Sequence, residues 1–366
     1  MRGKFTVELV AARQGDCVLV EWLGEERRIR MLIDAGPAKA YDSSVFGRLA
    51  ALEDRRIDYL VVTHVDGDHV EGVVLLLRDA DLGLSIGEVW YNGGHHLTNE
   101  LGPPQGEVLT ALIKARKLSW NMAFKGEAVC SSDGGLVVKE LPGGVRATVL
   151  APDRLTLRAL RDEWEEACRK AHIDPGSDVQ ALRYLETRPT LSPKRVFLGS
   201  EPILPVEKLA RERKGVDTSV SNASSIVLLL EYGQERVLLA GDSTPRALLP
   251  AVRRLLEERG VDTLALSVFK VPHHGSQRNV TAELVRMLPA QRYLISTDGS
   301  GLSKHPDDSA VATILEHGPP GLELIFNYDS PRNRRWSDSR LIATFQHRVS
   351  FPPEGQARPE RTEEPS

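Results

Sequence analysis

Cysteine is scarce: Cys17, Cys130 and Cys168 are the three in 366 residues, widely spaced, odd in number and without a C-x-x-C pair. That excludes a disulfide framework and a cysteine zinc site, and leaves free thiols in a reducing compartment as the expectation. No charge of one sign dominates, since 47 Lys+Arg against 51 Asp+Glu leave a formal charge of -4. The basic body of a protein that coats nucleic acid is thereby excluded, and a nucleic-acid substrate would need a local patch. No stretch reaches the ~18 apolar residues of a membrane span. The N-terminus, Met1-Arg2-Gly3-Lys4, runs straight into alternating sequence without the apolar core of a signal peptide, so a cytoplasmic location with no membrane partner is expected. A G-x-S-x-G elbow, a Walker A loop and a Rossmann glycine fingerprint are also missing, and with them the signatures of acyl-serine, P-loop and nicotinamide chemistry.

What is present suits a globular chain: 41% hydrophobic and 27% charged residues, at a length that one elaborated domain can fill. Residues 5–10, 17–22 and 29–33 read as a β-meander, separated by the Arg13-Gln14-Gly15-Asp16 and Gly24-Glu25-Glu26 turns. Residues 43–54 turn helical, and 59–62 form the continuous apolar run of a buried strand. Further strands and one helix, 107–117, follow up to residue 150. The segment 153–173 is helical, and about 151–221, rich beyond 174 in Pro, Ser and Arg, reads as an insertion over the site and as a surface for a protein partner. Strands return at 224–232 and 235–240, then a helix at 245–259, strands at 264–271 and 292–296, and a helix at 306–317. The second half thus repeats the order of the first. Residues 1–350 are expected to form one domain, and the tail 351–366, without apolar periodicity, to be disordered.

The chemistry concentrates where the buried strand ends, in Thr63-His64-Val65-Asp66-Gly67-Asp68-His69. Four potential ligands within six positions are costly unless a cation neutralises them, and this mix of nitrogen and oxygen donors suits a divalent metal. Asp242, in Gly241-Asp242-Ser243, and the pair His273-His274, in Pro272-His273-His274-Gly275-Ser276, follow two later strands.

The cluster resembles the H-x-H-x-D-H signature of the metallo-β-lactamase superfamily, with Asp66 in place of the second histidine. That variation resembles the soluble domain of ComEC-type DNA-uptake proteins and its solitary relatives. Further matches occur in family order: Gln14-Gly15-Asp16, Leu32-Ile33-Asp34-Ala35-Gly36, Leu239-Ala240-Gly241-Asp242, 271–276 and His305-Pro306. The resemblance implies an α+β fold, the αββα four-layer sandwich, and a metal-activated water as nucleophile. It implies that His64 and Asp66 hold one metal, that Asp68 and His69 hold another, and that Asp242 bridges both. One of His273 and His274 completes the set; the sequence leaves open which, and the family pattern favours the first. Asp16 and Asp34 are expected to orient the histidines. Asp68 and His305 are the candidate catalytic residues, His305 as a phosphate ligand or proton donor. Where the superfamily supplies another histidine in G-H-x-x-G, this chain has Val220-Ser221-Asn222-Ala223-Ser224, so either Asn222 or a water takes that place or the first metal is weakly held. The exchange of histidines for oxygen ligands widens the choice of the two metal ions from zinc toward manganese or magnesium.

For substrate, the resemblance favours a phosphodiester, single-stranded DNA or another nucleic acid. Arg332, Arg334 and Arg335 beside Trp336 would give such a strand positive charge and a stacking face. Small esters, lactones and phosphocholine esters are the alternative. An accessory role in phage defence, with a partner docked on the insertion, is a third reading. His95 and His96 are assigned to a loop, and His172, His317 and His347 to the surface.

Overall fold

The alternation read from the sequence becomes two sheets in the computed structural model, which describes residues 5–97, 104–132, 135–186, 204–211, 215–300, 304–352 and 359–361. The strands are β1 (Thr6–Leu9), β2 (Val18–Leu23), β3 (Arg28–Ile33), β4 (Arg56–Val61), β5 (Ser85–Trp90), β6 (Ser119–Trp120), β7 (Val137–Leu141), β8 (Val145–Ala151), β9 (Val227–Tyr232), β10 (Glu235–Leu239), β11 (Leu266–Lys270), β12 (Ala290–Ile295), β13 (Glu323–Phe326), β14 (Arg348–Ser350) and β15 (Pro359–Arg361). One sheet has the order β15-β1-β2-β3-β4-β5-β6 and the other β14-β13-β12-β11-β10-β9-β8-β7.

Strand residues point alternately to the two faces of a sheet, so a strand apolar at every position must be covered on both. Val18, Val20 and Trp22 of β2 face Leu228 and Leu230 of β9 in a core shared by the two sheets. Leu19, of opposite parity, packs outward with Val70 and Val73 of helix Gly67–Arg78 and Leu109 of helix Pro104–Ala115. On the far side, Val227 and Leu229 meet Val252 of helix Pro245–Arg259 and Val311 of helix Asp308–His317. Helices, two sheets and helices in that order form the four-layer αββα sandwich.

Sheet register brings the functional loops to one end. β3 runs parallel to β4 with Ile33 opposite Val61, and β10 runs parallel to β11 with Leu239 opposite Lys270. The segments that follow, bearing Asp34, His64 to His69, Asp242 and His273-His274, therefore leave their strands on the same side. The Ile226 N–H donates to the Thr63 carbonyl at 2.9 Å, joining the entry of β9 to the exit of β4.

Three features differ from the sequence reading. The segment 151–221 is not simply laid over the site. Its helix Arg154–Lys170 buries Leu157, Leu160 and Trp164 in the first outer layer, Leu204 and Val206 join the second, and its end, Asp217 to Asn222, enters the site. Trp164 Nε1 donates to the buried Glu107 carboxylate at 3.2 Å, which pins that helix down. A helix that the Ser- and Pro-rich composition concealed, Asp178–Glu186, follows; residues 187–203 and 212–214 lie outside the described residues. In the tail, Pro359–Arg361 pair antiparallel with β1, contrary to the expectation of disorder, while 353–358 and 362–366 lie outside the described residues. His347 is buried at 1% exposure rather than on the surface, because its Nε2 meets the Trp336 carbonyl at 2.9 Å. The three cysteines are buried and none forms a disulfide among the described residues. No helix among the described residues is long and apolar enough to cross a membrane.

Candidate metal centre

His64 and His69 flank the start of helix Gly67–Arg78, and both rings are buried. Each is held from its Nδ1 side. Asp34, at the exit of β3, accepts from the Thr63 N–H at 2.8 Å and the Thr63 hydroxyl at 2.6 Å, and its Oδ2 lies 2.8 Å from His69 Nδ1. The Thr63 hydroxyl, having donated to Asp34, is left as an acceptor for His64 Nδ1 at 3.1 Å. Asp16 holds the third ring, its Oδ1 lying 3.2 Å from His274 Nδ1. His64 and His69 thus have Nδ1 engaged and Nε2 turned to the site, while His274 Nδ1 lies beside Asp16 without a hydrogen bond.

Those three Nε2 atoms converge on Asp242. Its carboxylate lies 3.4 Å from His69 Nε2 and 3.4 Å from His274 Nε2. His64 Nε2, His69 Nε2, His274 Nε2 and Asp242 Oδ1 are buried without a hydrogen-bond partner. Buried polar atoms are rarely left so, and four together mark a place where something else supplies the bond. His64, His69 and Asp242 form one group of donors close enough to surround an ion, and Asp68, His69 and His274 another. Asp66 and Asp68 line the open side, their side chains 43% and 31% exposed, with Asp66 Oδ2 3.6 Å from His64 Nε2 and Asp68 Oδ2 3.5 Å from His274 Nε2. The donor set, imidazole and carboxylate with neither thiolate nor amide, fits zinc or manganese.

Within the histidine pair the preference drawn from the family pattern reverses. It is His274 that shares a donor group with Asp68 and His69. The His273 ring is 26% exposed and turns its Nδ1 to Asn279 Oδ1 at 3.1 Å and Asp217 Oδ2 at 3.4 Å, leaving Nε2 3.7 Å from Asp242. The pair can diverge because His273, His274 and Gly275 are all left-handed, with φ of 48°, 53° and 83°. Asp34 shares that conformation at φ 55°. Gly15 is needed for another reason: a Cβ there would lie 1.9 Å from the Asp68 carbonyl oxygen, so nothing larger lets the turn before Asp16 press on the ligand loop.

Asn222 spends its Nδ2 on Asp217 at 2.8 Å and leaves a buried Oδ1 without a partner. Its neighbour Ser221 donates to Asp66 Oδ1 at 2.5 Å. His305 stands beside the cluster with its ring centroid 5.1 Å from that of His273. His95 and His96 lie in a short 3-10 turn against Trp120, His96 Nε2 3.2 Å from the Gly126 carbonyl, in keeping with a loop role.

Sequence reasoning missed Lys270, Ser221, Asp217 and Asn279. Of these Lys270 left a signal, being the one charged residue in the apolar strand β11. Its ammonium forms an ion pair with Asp16 and lies 3.9 Å from Asp242 Oδ1.

The arginine-tryptophan reading is overturned. Trp336 is completely buried and offers no stacking face. Arg335 pairs with Asp308, Arg332 donates to the Pro306 carbonyl at 2.8 Å, and Arg334 pairs with Asp329. Trp336→Ala is accordingly expected to cost about 3–5 kcal/mol of stability, read by thermal melting, as deletion of a core indole does.

Electrostatics of the metal-free cluster follow from crowding. Burial alone would depress the His69 imidazole, but Asp242 and Asp34 outweigh it and raise it well above its ordinary value. His274 is raised likewise against its burial by Asp242 and Asp16. Burial would raise Asp242, yet His274, His69 and His273 hold it well below the carboxylate range, and Asp66 is brought to about 2 by His64 and Ser221 against its own burial. His305 is pushed down to about 4 by burial and by His274 and His273.

The signs give a pH prediction. The raised imidazoles stabilise the metal-free fold fully below their unfolded value of about 6.5 and lose that contribution as pH climbs through the raised folded values. A metal must displace the same protons, so metal uptake at pH 7 is expected to release about two protons, with affinity rising with pH. Calorimetry in two buffers of different ionisation enthalpy measures this; identical heats in both would contradict it.

Residues 10–109 match the family model of the metallo-beta-lactamase superfamily, a span that includes Asp16, Asp34 and the ligand loop His64 to His69. The match stops short of the ComEC-type branch. No curated protein matches the chain. The crystal structure of CmlA, a diiron beta-hydroxylase from Streptomyces venezuelae, aligns over 99% of this chain and 54% of that one, at 14% identity and a TM-score of 0.38. A mutant of the CmlA beta-hydroxylase aligns over 98% and 54%, at 13% identity and the same TM-score of 0.38. The chain thus spans about half the length of these solved structures, and at that TM-score the likeness bears on neither fold nor activity.

Proposed function

We propose that the chain is a binuclear metal-dependent hydrolase that attacks a phosphodiester, in a nucleic acid, with a metal-activated water. One observation carries the metal reading: four buried, unpartnered donor atoms, His64 Nε2, His69 Nε2, His274 Nε2 and Asp242 Oδ1, face a common space at the end of both sheets. His64, Asp66 and Asp242 would hold one ion, and Asp68, His69 and His274 with Asp242 the other.

When bound, two such ions lower the pKa of a water between them and stabilise charge on the attacking and leaving oxygens, a demand that phosphodiester cleavage makes strongly. The protein's own part is orientation. Asp34 and Thr63 fix the His69 and His64 rings with Nε2 inward, and Asp16 lies beside Nδ1 of His274, whose Nε2 also turns inward. Asp68, on the open side, is placed to hold a proton of the attacking water. His305, neutral at pH 7 with its value near 4, can offer its N–H to a substrate oxygen. With the arginine-tryptophan patch withdrawn, the substrate class rests on the ligand pattern and the suitability of a paired-metal site.

The test is hydrolysis of bis(p-nitrophenyl) phosphate and single-stranded DNA with manganese or zinc, beside p-nitrophenyl acetate and a lactone, in wild type and Asp68→Ala. Cleavage of the phosphodiesters that is lost in Asp68→Ala supports the reading. Turnover of the esters or lactone alone moves the substrate class. Activity on none, with a protein co-purifying on the 151–221 segment, would replace the hydrolase with an accessory role.

A further inference from the structure

We propose that Lys270 is a tethered cation of the metal centre, whose ammonium closes the corner between Asp16, Asp242 and His274 to a further metal ion. The inference rests on the reading of the cluster as a metal centre.

Lys270 ends β11, is 1% exposed, and shares its face of the strand with Val268 in the core between the sheets. A lysine is expensive there unless its charge is met. It is met three times: by an ion pair with Asp16, by the Gly241 carbonyl at 3.1 Å, and by Asp242 Oδ1 at 3.9 Å. Asp16, Asp242 and His274 also form a donor group compact enough to hold an ion on its own. The ammonium therefore bears on two of the three members of a set that would otherwise suit a third metal.

Charge balance argues the same way. Asp16, Asp34, Asp66, Asp68 and Asp242 gather around the three rings. Those carboxylates outnumber the rings, and Lys270 adds a fixed positive charge against two of them, Asp16 and Asp242. A covalently held ammonium cannot dissociate or exchange, so the corner stays filled whatever ions the solution offers. It also keeps Asp16 engaged beside His274 Nδ1 instead of free to swing in as another ligand.

The experiment is equilibrium dialysis of the full chain against manganese or zinc, followed by elemental analysis. Lys270→Ala, which empties the corner, is expected to bind about one equivalent more than wild type, and the extra equivalent to vanish in the Asp16→Asn, Lys270→Ala double variant. A folded Lys270→Ala with the wild-type count overturns the proposal. A second measurement covers an unstable variant: ethylammonium chloride, carrying the missing head group, is expected to raise the melting temperature of Lys270→Ala by about 3 °C more than that of wild type. Equal shifts in the two proteins would overturn it as well. Because the readout is a difference between variants, it separates from the wild-type metal content, whose absence would remove the metal-centre reading instead.

Discussion

On the proposed binuclear reading, Asp242→Ala will leave a folded protein that retains at most about one of two metal equivalents after dialysis, and whose proposed hydrolytic rate falls at least ~10³-fold. His64 and His69 come from the first half of the chain and His274 from the second, and the Asp242 carboxylate stands between them, 3.4 Å from two of the Nε2 atoms. No neighbour can replace it, since Asp16 is engaged with Lys270 and Asp34 with Thr63 and His69. The fold should survive because its removal takes away one charge that raises His69 and His274, while Asp34 and Asp16 still meet the two rings. Elemental analysis beside wild type decides the matter; wild-type metal content in Asp242→Ala would dismiss the bridging role.

Asp34→Ala should fail in the opposite way, through stability first. Asp34 is entirely buried and accepts three hydrogens, from the Thr63 N–H, the Thr63 hydroxyl and His69 Nδ1. Its loss leaves three buried donors without an acceptor, at about 1–3 kcal/mol each before relaxation. A net loss of about 3 kcal/mol or more is expected, lowering the melting temperature of the metal-free protein by about 4 °C or more. Metal affinity should drop about 10–100-fold, because His69 is then free to rotate or to change tautomer. A variant that melts like wild type and binds metal equally well would show that the ring is held by packing alone.

These two residues differ in how plainly the sequence announces them. The ligand loop is legible because four chemically costly side chains fall within six positions, and no turn or cap calls for such density. The layers are legible because β2 and β9 are apolar at nearly every position, which only a doubly covered sheet explains. Asp242, Asp34 and Asp16 look like ordinary turn residues one at a time and gain meaning from their order along the chain. Ser221, Asp217 and Asn279 could not be singled out, since their roles depend on tertiary pairings, of Ser221 with Asp66, of Asp217 with His273 and Asn279, and of Asn279 with His273, with nothing unusual locally. The choice between His273 and His274 depends on backbone angles that composition does not encode. Arg332 to Trp336 has the composition of a nucleic-acid patch, yet Asp308, Asp329 and His347 meet its side chains and backbone, and none of these pairings shows in the string of residues.

Asp34, His273 and His274 hold backbone conformations in which a side chain is a liability of about 1–2 kcal/mol, least for aspartate. At these positions the backbone favours glycine while the chemistry requires a carboxylate or an imidazole. Selection for thermal endurance and selection for turnover therefore pull such sites apart, and a glycine found at 274 in a hardier variant would record which of the two had prevailed.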